Sequence, residues 1–346
     1  MIEVSLALIG YGNVAQGLTQ ILLEKGAEYE KRYGITFLIT AITDPLKGTA
    51  FNPDGLPLQA LIDTVQATGS IDTVPGTHPG WDAMEMIQNS PADVVVEMSY
   101  TNLQTGEPAT TYIAEALRRK KNVVTTNKGP IALYYDTLSA TARLHGVNLG
   151  VEGTVMSGTP TLRIGHCLLG AAGVHKIQGI LNGTTNYILT QMENGQTYEA
   201  ALAEAQRQGY AEADPTSDVE GFDAAAKVAI LARIVLDTPL TFASVEREGI
   251  TKITARDISE ACAVGKHWKL VGTVEKLNGK VTASVRPECL SNDHPLANIT
   301  GITNAVVYST NFLGDVTLTG PGAGRLQTGY AIIQDLLFIY GVLMES

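Results

Sequence analysis

An uninterrupted apolar run from Val4 to Ile9 ends at Gly10-Tyr11-Gly12-Asn13-Val14-Ala15, and Asn13 to Glu24 then carries apolar residues at helical spacing. A buried strand, a tight glycine turn and a helix in direct succession constrain the fold more than any other feature. Such a strand needs parallel neighbours reached through crossovers. The next segments supply them. Ile35 to Ile42, Asp93 to Val96, Asn122 to Thr126 and Val147 to Val151 read as strands, and Ala109 to Leu117 and Tyr135 to Leu144 as helices. Lys25 to Gly34 reads as a lengthened connection after the first helix. The alternation predicts an α/β domain over residues 1–150, built on a doubly wound, Rossmann-like parallel sheet.

The glycine turn fits G-x-G-x-x-A. Gly10 permits the tight turn, Gly12 lets the backbone approach a pyrophosphate, and Ala15 allows close helix packing. Asn13 and Val14 open the helix, whose amino terminus attracts an anion. A purely structural glycine turn has the same letters; the flanking strand and helix favour dinucleotide binding. Asp44 closes the second strand, where a carboxylate meets the ribose hydroxyls of NAD. Lys47, three residues on, suits the 2′-phosphate of NADP instead. The cofactor is therefore NAD(P), with a lean to NAD from Asp44. Glu97 and Ser99 end one strand candidate, and Lys128 follows another, at the sheet edge where parallel sheets bind ligands.

After Gly153 the pattern changes. Ala200 to Arg207, Asp223 to Leu236 and Ile258 to Val264 read as helices, the second with one apolar face. Strand-like alternation takes over at Leu270 to Glu275, Val281 to Arg286, Ala305 to Thr310 and Asp315 to Leu318, with Lys276-Leu277-Asn278-Gly279 as a hairpin turn. This half is predicted to be α+β with a mixed or antiparallel sheet. An apolar helix from Thr328 to Met344 closes the chain and is expected to pack back on the first domain.

The richest chemistry lies between Gly209 and Lys227. Five carboxylates and a lysine sit among Gly, Pro and small residues, and the segment runs into Val228-Ala229-Ile230-Leu231. Asp223 and Lys227 are one helical turn apart and share a face. An exposed i,i+4 ion pair would explain an isolated D-x-x-x-K. The apolar company of this one points to a site instead, because charges among apolar residues are costly unless paired or used. Asn182-Gly183-Thr184-Thr185-Asn186-Tyr187 precedes a helix and offers hydroxyls and amides to a carboxylate. Pro321-Gly322-Ala323-Gly324 is a second close-approach loop before a helix.

Composition narrows the partners. The 346 residues carry a formal net charge of −11 without a basic block, which disfavours nucleic acid and anionic membranes. No apolar run reaches spanning length. Cys167, Cys262 and Cys289 are far apart without metal-ligand spacing, consistent with reduced thiols and a cytoplasmic protein.

Taken together, Gly10 to Ala15, Thr125-Thr126-Asn127-Lys128, Asn182 to Tyr187, Gly209 to Lys227 and Gly320 to Gly324 resemble, in this order, the motifs of homoserine dehydrogenases. The resemblance implies reversible NAD(P)-dependent reduction of L-aspartate 4-semialdehyde to L-homoserine. It implies a nucleotide domain of residues 1–150 and 325–346, and a substrate-binding and dimerisation domain of residues 151–324. Lys128 and Lys227 match the family's active-site lysines, with Asp223 beside the second. Glu212, Gly183, Thr184, Tyr210 and Asp218 match substrate-side positions. Gly10, Gly12, Asn13, Val14, Asp44, Ser99, Lys128 and Gly324 are the cofactor-side candidates. Glu152 and the Val155 carbonyl match a site for Na⁺ or K⁺, although Met156-Ser157-Gly158-Thr159 departs from the Gly/Ala-rich family pattern. The resemblance also implies a homodimer acting on a small amino acid, and a form without a carboxyl-terminal amino-acid-sensing domain. Another two-domain amino-acid or polyol dehydrogenase, or a catalytically silent nucleotide sensor, is the alternative. Both lysines and their carboxylates speak against these. An aspartate-semialdehyde dehydrogenase would need a nucleophilic cysteine, and none of the three has a suitable neighbourhood.

Overall fold

Two six-stranded sheets organise the chain, in a computed structural model that describes residues 1–342. They belong to two compact units. One comprises Met1–Gly158 and the segment from Gly324 onward; the other is Thr159–Ala323.

The first unit holds β1 (Ile2–Ile9), β2 (Ile35–Asp44), β3 (Gly48–Phe51), β4 (Val94–Glu97), β5 (Asn122–Thr125) and β6 (Leu149–Gly150). Their order is β3-β2-β1-β4-β5-β6. Every pairing is parallel except the β2–β3 hairpin. Val4, Leu6, Leu8, Val94, Val96 and Val124 are fully buried, as expected where a parallel sheet is covered on both faces. The strand order reverses between β1 and β4, which leaves a crevice at their carboxyl ends.

The first helix differs from expectation. It spans Asn13–Tyr33, so Lys25 to Gly34 is mostly helix rather than a lengthened connection. Tyr29 and Tyr33 pack against the core from this extension. Gly34 ends it in the left-handed conformation (φ 65°), its N–H bonded to the Glu30 carbonyl at 2.9 Å. A second helix starts at Lys128, not Tyr135, and runs to His145. Pro130 hides that start in the sequence, although proline is at home in a first helical turn. Helical geometry lapses at Tyr134 (φ −132°, ψ 15°), which splits the pattern. β3 and the helices Leu58–Thr68 and Ala83–Asn89 have no counterpart in the expected elements.

The last helix, Arg325–Ile339, starts a turn before Thr328 and lies against Asn13–Tyr33. Its expected end at Leu343 and Met344 lies outside the described residues. Glycines allow the contact. A Cβ on Gly17 would come within 2.1 Å of the Arg325 carbonyl oxygen, and one on Gly329 within 2.6 Å of the Leu18 nitrogen.

The second unit holds β7 (Val174–Ile180), β8 (Glu246–Arg247), β9 (Lys266–Leu277), β10 (Lys280–Ser291), β11 (Thr303–Thr310) and β12 (Gly314–Pro321). The order is β12-β11-β7-β9-β10-β8, antiparallel except for β10–β8, so the sheet is mixed. Asn278 (φ 51°) and Gly279 (φ 78°) make the β9–β10 turn with two left-handed residues, the geometry that matches strand twist. The helices Gly183–Glu193, Phe222–Ile234 and Ala255–Ala263 pack on this sheet. Phe222–Ile234 is not amphipathic with one apolar face. Ala224 to Ala232 are all buried, so it is a core helix, and Lys227 is the one polar residue within that stretch. No helix among the described residues is long and apolar enough to cross a membrane.

Candidate active site

The glycine turn lies at the strand-order reversal of the first unit. Gly10 has φ 91°, and a Cβ there would sit 2.8 Å from the Met98 carbonyl, so only glycine lets the segments after β1 and β4 approach. A Cβ on Gly12 would meet nothing within 4 Å, and its side faces open space. The helix behind it has no side-chain cap and no acidic residue in its first turn. Its amino-terminal N–H groups are thus left for an anion. Asn13 is exposed, Val14 half-buried and Ala15 buried under the turn. The open cradle, the uncapped helix and the carboxylate next described fit a dinucleotide.

Asp44 ends β2 beside this turn. One carboxylate oxygen accepts the Tyr11 N–H at 2.7 Å, and the other accepts those of Leu46 and Lys47, each at 2.9 Å. Partial burial pushes its carboxyl up. The three backbone donors and the Lys47 charge outweigh that and leave it below its usual range. Asp44 therefore holds a negative charge against the phosphate loop itself. Gly324, also in this unit, has φ 137° and precedes Arg325.

Glu97, at the end of β4, is fully buried. It accepts the Ser99 N–H at 2.8 Å, the Ser99 hydroxyl, and the Thr125 hydroxyl at 2.9 Å. Burial raises its carboxyl above the ordinary range; the bonds from Ser99, Thr125 and Asn127 oppose this without cancelling it. Asn127 caps the helix that begins with Lys128, its Oδ1 accepting the Gly129 N–H at 3.1 Å. Lys128 is half-buried at that first position.

Glu152 and Val155 are buried, and the Glu152 N–H donates to Asp335 at 2.9 Å. Met156 and Ser157 follow, both at φ 55°. Two successive left-handed residues other than glycine are unusual and give the chain a sharp local turn at this point.

The second unit gathers the remaining candidates around the start of helix Phe222–Ile234. Lys227 is 7% exposed. Its Nζ donates to Asp223 Oδ2 at 2.7 Å and to the Leu181 carbonyl at 2.6 Å. Asn182 Nδ2 donates to Asp223 at 3.0 Å and to Asp218 at 2.6 Å. Burial and then the Asp223 charge push the Asp218 carboxyl up, against the bonds from Asn182 and Thr184 and the charge of Lys227. Thr184 donates to the Tyr210 carbonyl at 2.6 Å. A Cβ on Gly183 would come within 2.8 Å of the Ile302 carbonyl, so the helix start needs a residue without a side chain. Tyr210 packs edge-on to Tyr187, with ring centroids 5.1 Å apart. Glu212 stands apart. It is exposed, its carbonyl accepts from Gln206 at 3.0 Å, and among the described residues its carboxylate bonds to neither Lys227 nor the carboxylate cluster.

Asn182 enters the sequence reading only as the head of a motif and without a site role of its own, yet it is the hinge of this group. It joins the two carboxylates, and its Oδ1 accepts the Thr185 N–H at 2.9 Å as the helix cap. Its place at the head of Asn-Gly-Thr-Thr was the available signal, but a capping Asn looks the same when it caps and does nothing else.

A dinucleotide cradle at the switch point of a doubly wound sheet, together with a buried lysine–carboxylate group in a second unit, defines an NAD(P)-dependent oxidoreductase. Residues 10–152 match the family model of the homoserine dehydrogenase NAD-binding domain, and residues 160–337 that of homoserine dehydrogenase. The NAD(+)-dependent homoserine dehydrogenase of Pseudomonas canavaninivorans is 42% identical over 98% of this chain and 97% of its own. A crystal structure from Archaeoglobus fulgidus, described as a homoserine dehydrogenase, superposes with a TM-score of 0.88 at 35% identity, over 98% of this chain and 99% of that one. A hyperthermophilic archaeal homoserine dehydrogenase in complex with NADPH gives 0.84 at 30% identity, over 98% of both. The chain belongs to the homoserine dehydrogenase family, and homoserine dehydrogenase activity is the function that follows from that membership.

Proposed function

We propose that this protein interconverts L-aspartate 4-semialdehyde and L-homoserine with Lys227 as its proton-handling group and NAD as its preferred cofactor. The buried Lys227–Asp223 pair is the observation that carries this reading. A lysine in the core of a helix is costly unless its charge is used. NAD(P), when bound, supplies the hydride chemistry. The chain's own residues do the rest. Lys227 Nζ holds a proton for the substrate oxygen and stabilises negative charge there; Asp223 and the Leu181 carbonyl orient it. Lys128, the other family lysine, is proposed to share the electrostatic work. The amide end at Gly183 and Thr184 suits the substrate carboxylate, with Tyr210 and Asp218 as neighbouring contacts. Glu212, exposed, is available for the substrate ammonium.

Gly10, Gly12, Asn13 and Val14 would hold the pyrophosphate, Asp44 the ribose hydroxyls, and Ser99, Lys128 and Gly324 the remaining cofactor contacts. The lowered carboxyl of Asp44 supports NAD, since a fixed negative charge repels a 2′-phosphate. The name of the Pseudomonas relative supports the same preference. Glu152 and carbonyls near Val155 are proposed to hold Na⁺ or K⁺, supported by a buried carboxylate beside a sharply turned backbone. A homodimer is proposed through the second unit, where Leu168, Phe312 and Leu313 are exposed apolar residues. A cytoplasmic location is proposed, with which three unbridged cysteines accord.

Turnover of L-homoserine with NAD and, separately, NADP tests the reading directly. No turnover with either cofactor refutes it, and a strong NADP preference refutes the cofactor choice. Equal rates in Na⁺, K⁺ and tetramethylammonium salts at fixed ionic strength would remove the cation.

A further inference from the structure

We propose that Glu97 is a positioning residue that locks together the two loops which carry Ser99 and Lys128. The proposal rests on the site reading above, in which Ser99 faces the cofactor and Lys128 the reacting oxygen.

Glu97 reaches neither ligand. It is 0% exposed at the last position of β4, paired in register with Thr125, the last residue of β5. Fully burying a carboxylate without a cation beside it is costly, so the residue needs a reason to be there. Its surroundings supply one. Hydrogen-bond donors surround it: the Ser99 N–H and hydroxyl from the loop after β4, and the Thr125 hydroxyl from β5. The Thr125 oxygen is free to donate that proton, because it accepts the Asn127 N–H at 3.0 Å on its other side. Asn127 closes the circuit. Its Nδ2 donates to the carbonyls of Ser99 and Tyr100, both at 3.3 Å, while its Oδ1 caps the helix that starts at Lys128.

The chain after β4 and the chain after β5 are therefore joined twice, once through Glu97 and once through Asn127. Both joints lie within one or two residues of a proposed site residue. The neighbouring backbone leaves little slack. A Cβ on Gly129 would sit 2.5 Å from the Asn102 carbonyl, and one on Gly10 2.8 Å from that of Met98. A loop released by loss of the carboxylate has to move relative to the glycine turn or to Lys128. Only an acceptor with two oxygens serves both Ser99 and Thr125, and that explains a glutamate where an apolar strand end would pack as well.

The test compares Glu97→Ala, Glu97→Gln and Thr125→Val for kcat, KM for homoserine, dinucleotide Kd by fluorescence titration, and Tm. In Glu97→Ala, kcat should fall roughly tenfold to a hundredfold, the usual cost of a small misplacement of reacting groups. Dinucleotide Kd should rise about fivefold, as for one lost hydrogen bond at the Ser99 loop. KM for homoserine should stay within about twofold, because its proposed contacts lie on the other unit. Glu97→Gln keeps one acceptor oxygen, enough for Ser99 but not for Thr125 as well, and should recover part of kcat and Kd. Thr125→Val, nearly isosteric, should lower kcat in the same sense if Glu97→Ala does not fold. Wild-type kcat and Kd in folded Glu97→Ala or in Thr125→Val, whatever happens to Tm, would overturn the proposal. So would a Glu97→Gln as impaired as the alanine variant. Failure of the underlying site reading shows separately, as wild-type kcat in Lys128→Ala.

Discussion

Replacing Lys227 with alanine has two consequences that the geometry separates. The side chains of Lys227 and Asp223 are only 8% and 14% exposed, so water does little to screen them. Lys227→Ala takes the ammonium from the Asp223 carboxylate, to which the Asn182 amide still donates, and breaking a buried pair from one side costs about 3–5 kcal/mol. The Asn182 bond that remains places this case toward the lower end. The catalytic loss has a different origin. Without a proton donor at Nζ, kcat should fall roughly 10²–10⁴-fold, the span for a positioned acid–base group. At about 1.36 kcal/mol per decade this is about 3–5 kcal/mol of transition-state stabilisation. The two terms are similar in size, so kcat on the single variant does not distinguish them. The double variant Asp223→Ala with Lys227→Ala does, because it removes that carboxylate as well. Its Tm should rise above that of Lys227→Ala while its kcat stays low. Steady-state oxidation of homoserine, followed by nicotinamide absorbance on protein shown to be folded, reads the second quantity, and thermal melts read the first. A double variant whose kcat recovers with its Tm would show that Lys227 stabilises the fold and does not handle the proton. Near-normal kcat in Lys227→Ala alone would show the same more directly.

Glu212→Gln should raise KM for homoserine about tenfold, as for a weakened charge-assisted hydrogen bond, with dinucleotide Kd unchanged; the opposite pattern would give Glu212 to the cofactor. Asp44→Ser should relax a preference for NAD toward NADP, whereas Lys47→Ala should change little; a selective rise in KM for NADP in Lys47→Ala would make that lysine the phosphate ligand instead. Asp218 titrates above its unfolded value, so its contribution to stability is complete below that unfolded pKa and is lost as pH rises through the folded one. Asp218→Asn, which cannot acquire that charge, should therefore gain Tm relative to the wild type from pH 4 to pH 8, and a difference that is flat with pH would refute the assignment.

Much of this architecture was legible in the chain because its determinants are local. The Val4–Ile9 run, Gly10 and Gly12 dictate a strand and a glycine turn whatever surrounds them. Asn278-Gly279 likewise dictates the β9–β10 hairpin. Asp223 and Lys227 meet because one helical turn separates them. The family resemblance rested on such segments and on their order. Elements failed to show where the signal was mixed. Residues 25–33 mix Gly26 and five charged residues with Tyr29 and Tyr33, and the packing of those tyrosines on the core supports the helix there. Gly129 and Pro130 obscured a helix start that Asn127 caps. The joining residues are the clearest case. Asn182 lies 36 residues before Asp218 and 41 before Asp223, and Thr125 lies 28 after Glu97. No local rule links positions so far apart. Backbone propensity and periodicity act over a few residues, whereas a buried carboxylate finds its donors only when separate strands and helices have already closed around it. The sequence by itself determined the nucleotide cradle, the lysine–aspartate pair and the class of fold. Tertiary structure alone decided which polar side chains tie Glu97, Asp218 and Asp223 in place, because only burial makes an unpaired carboxylate expensive enough to select those partners.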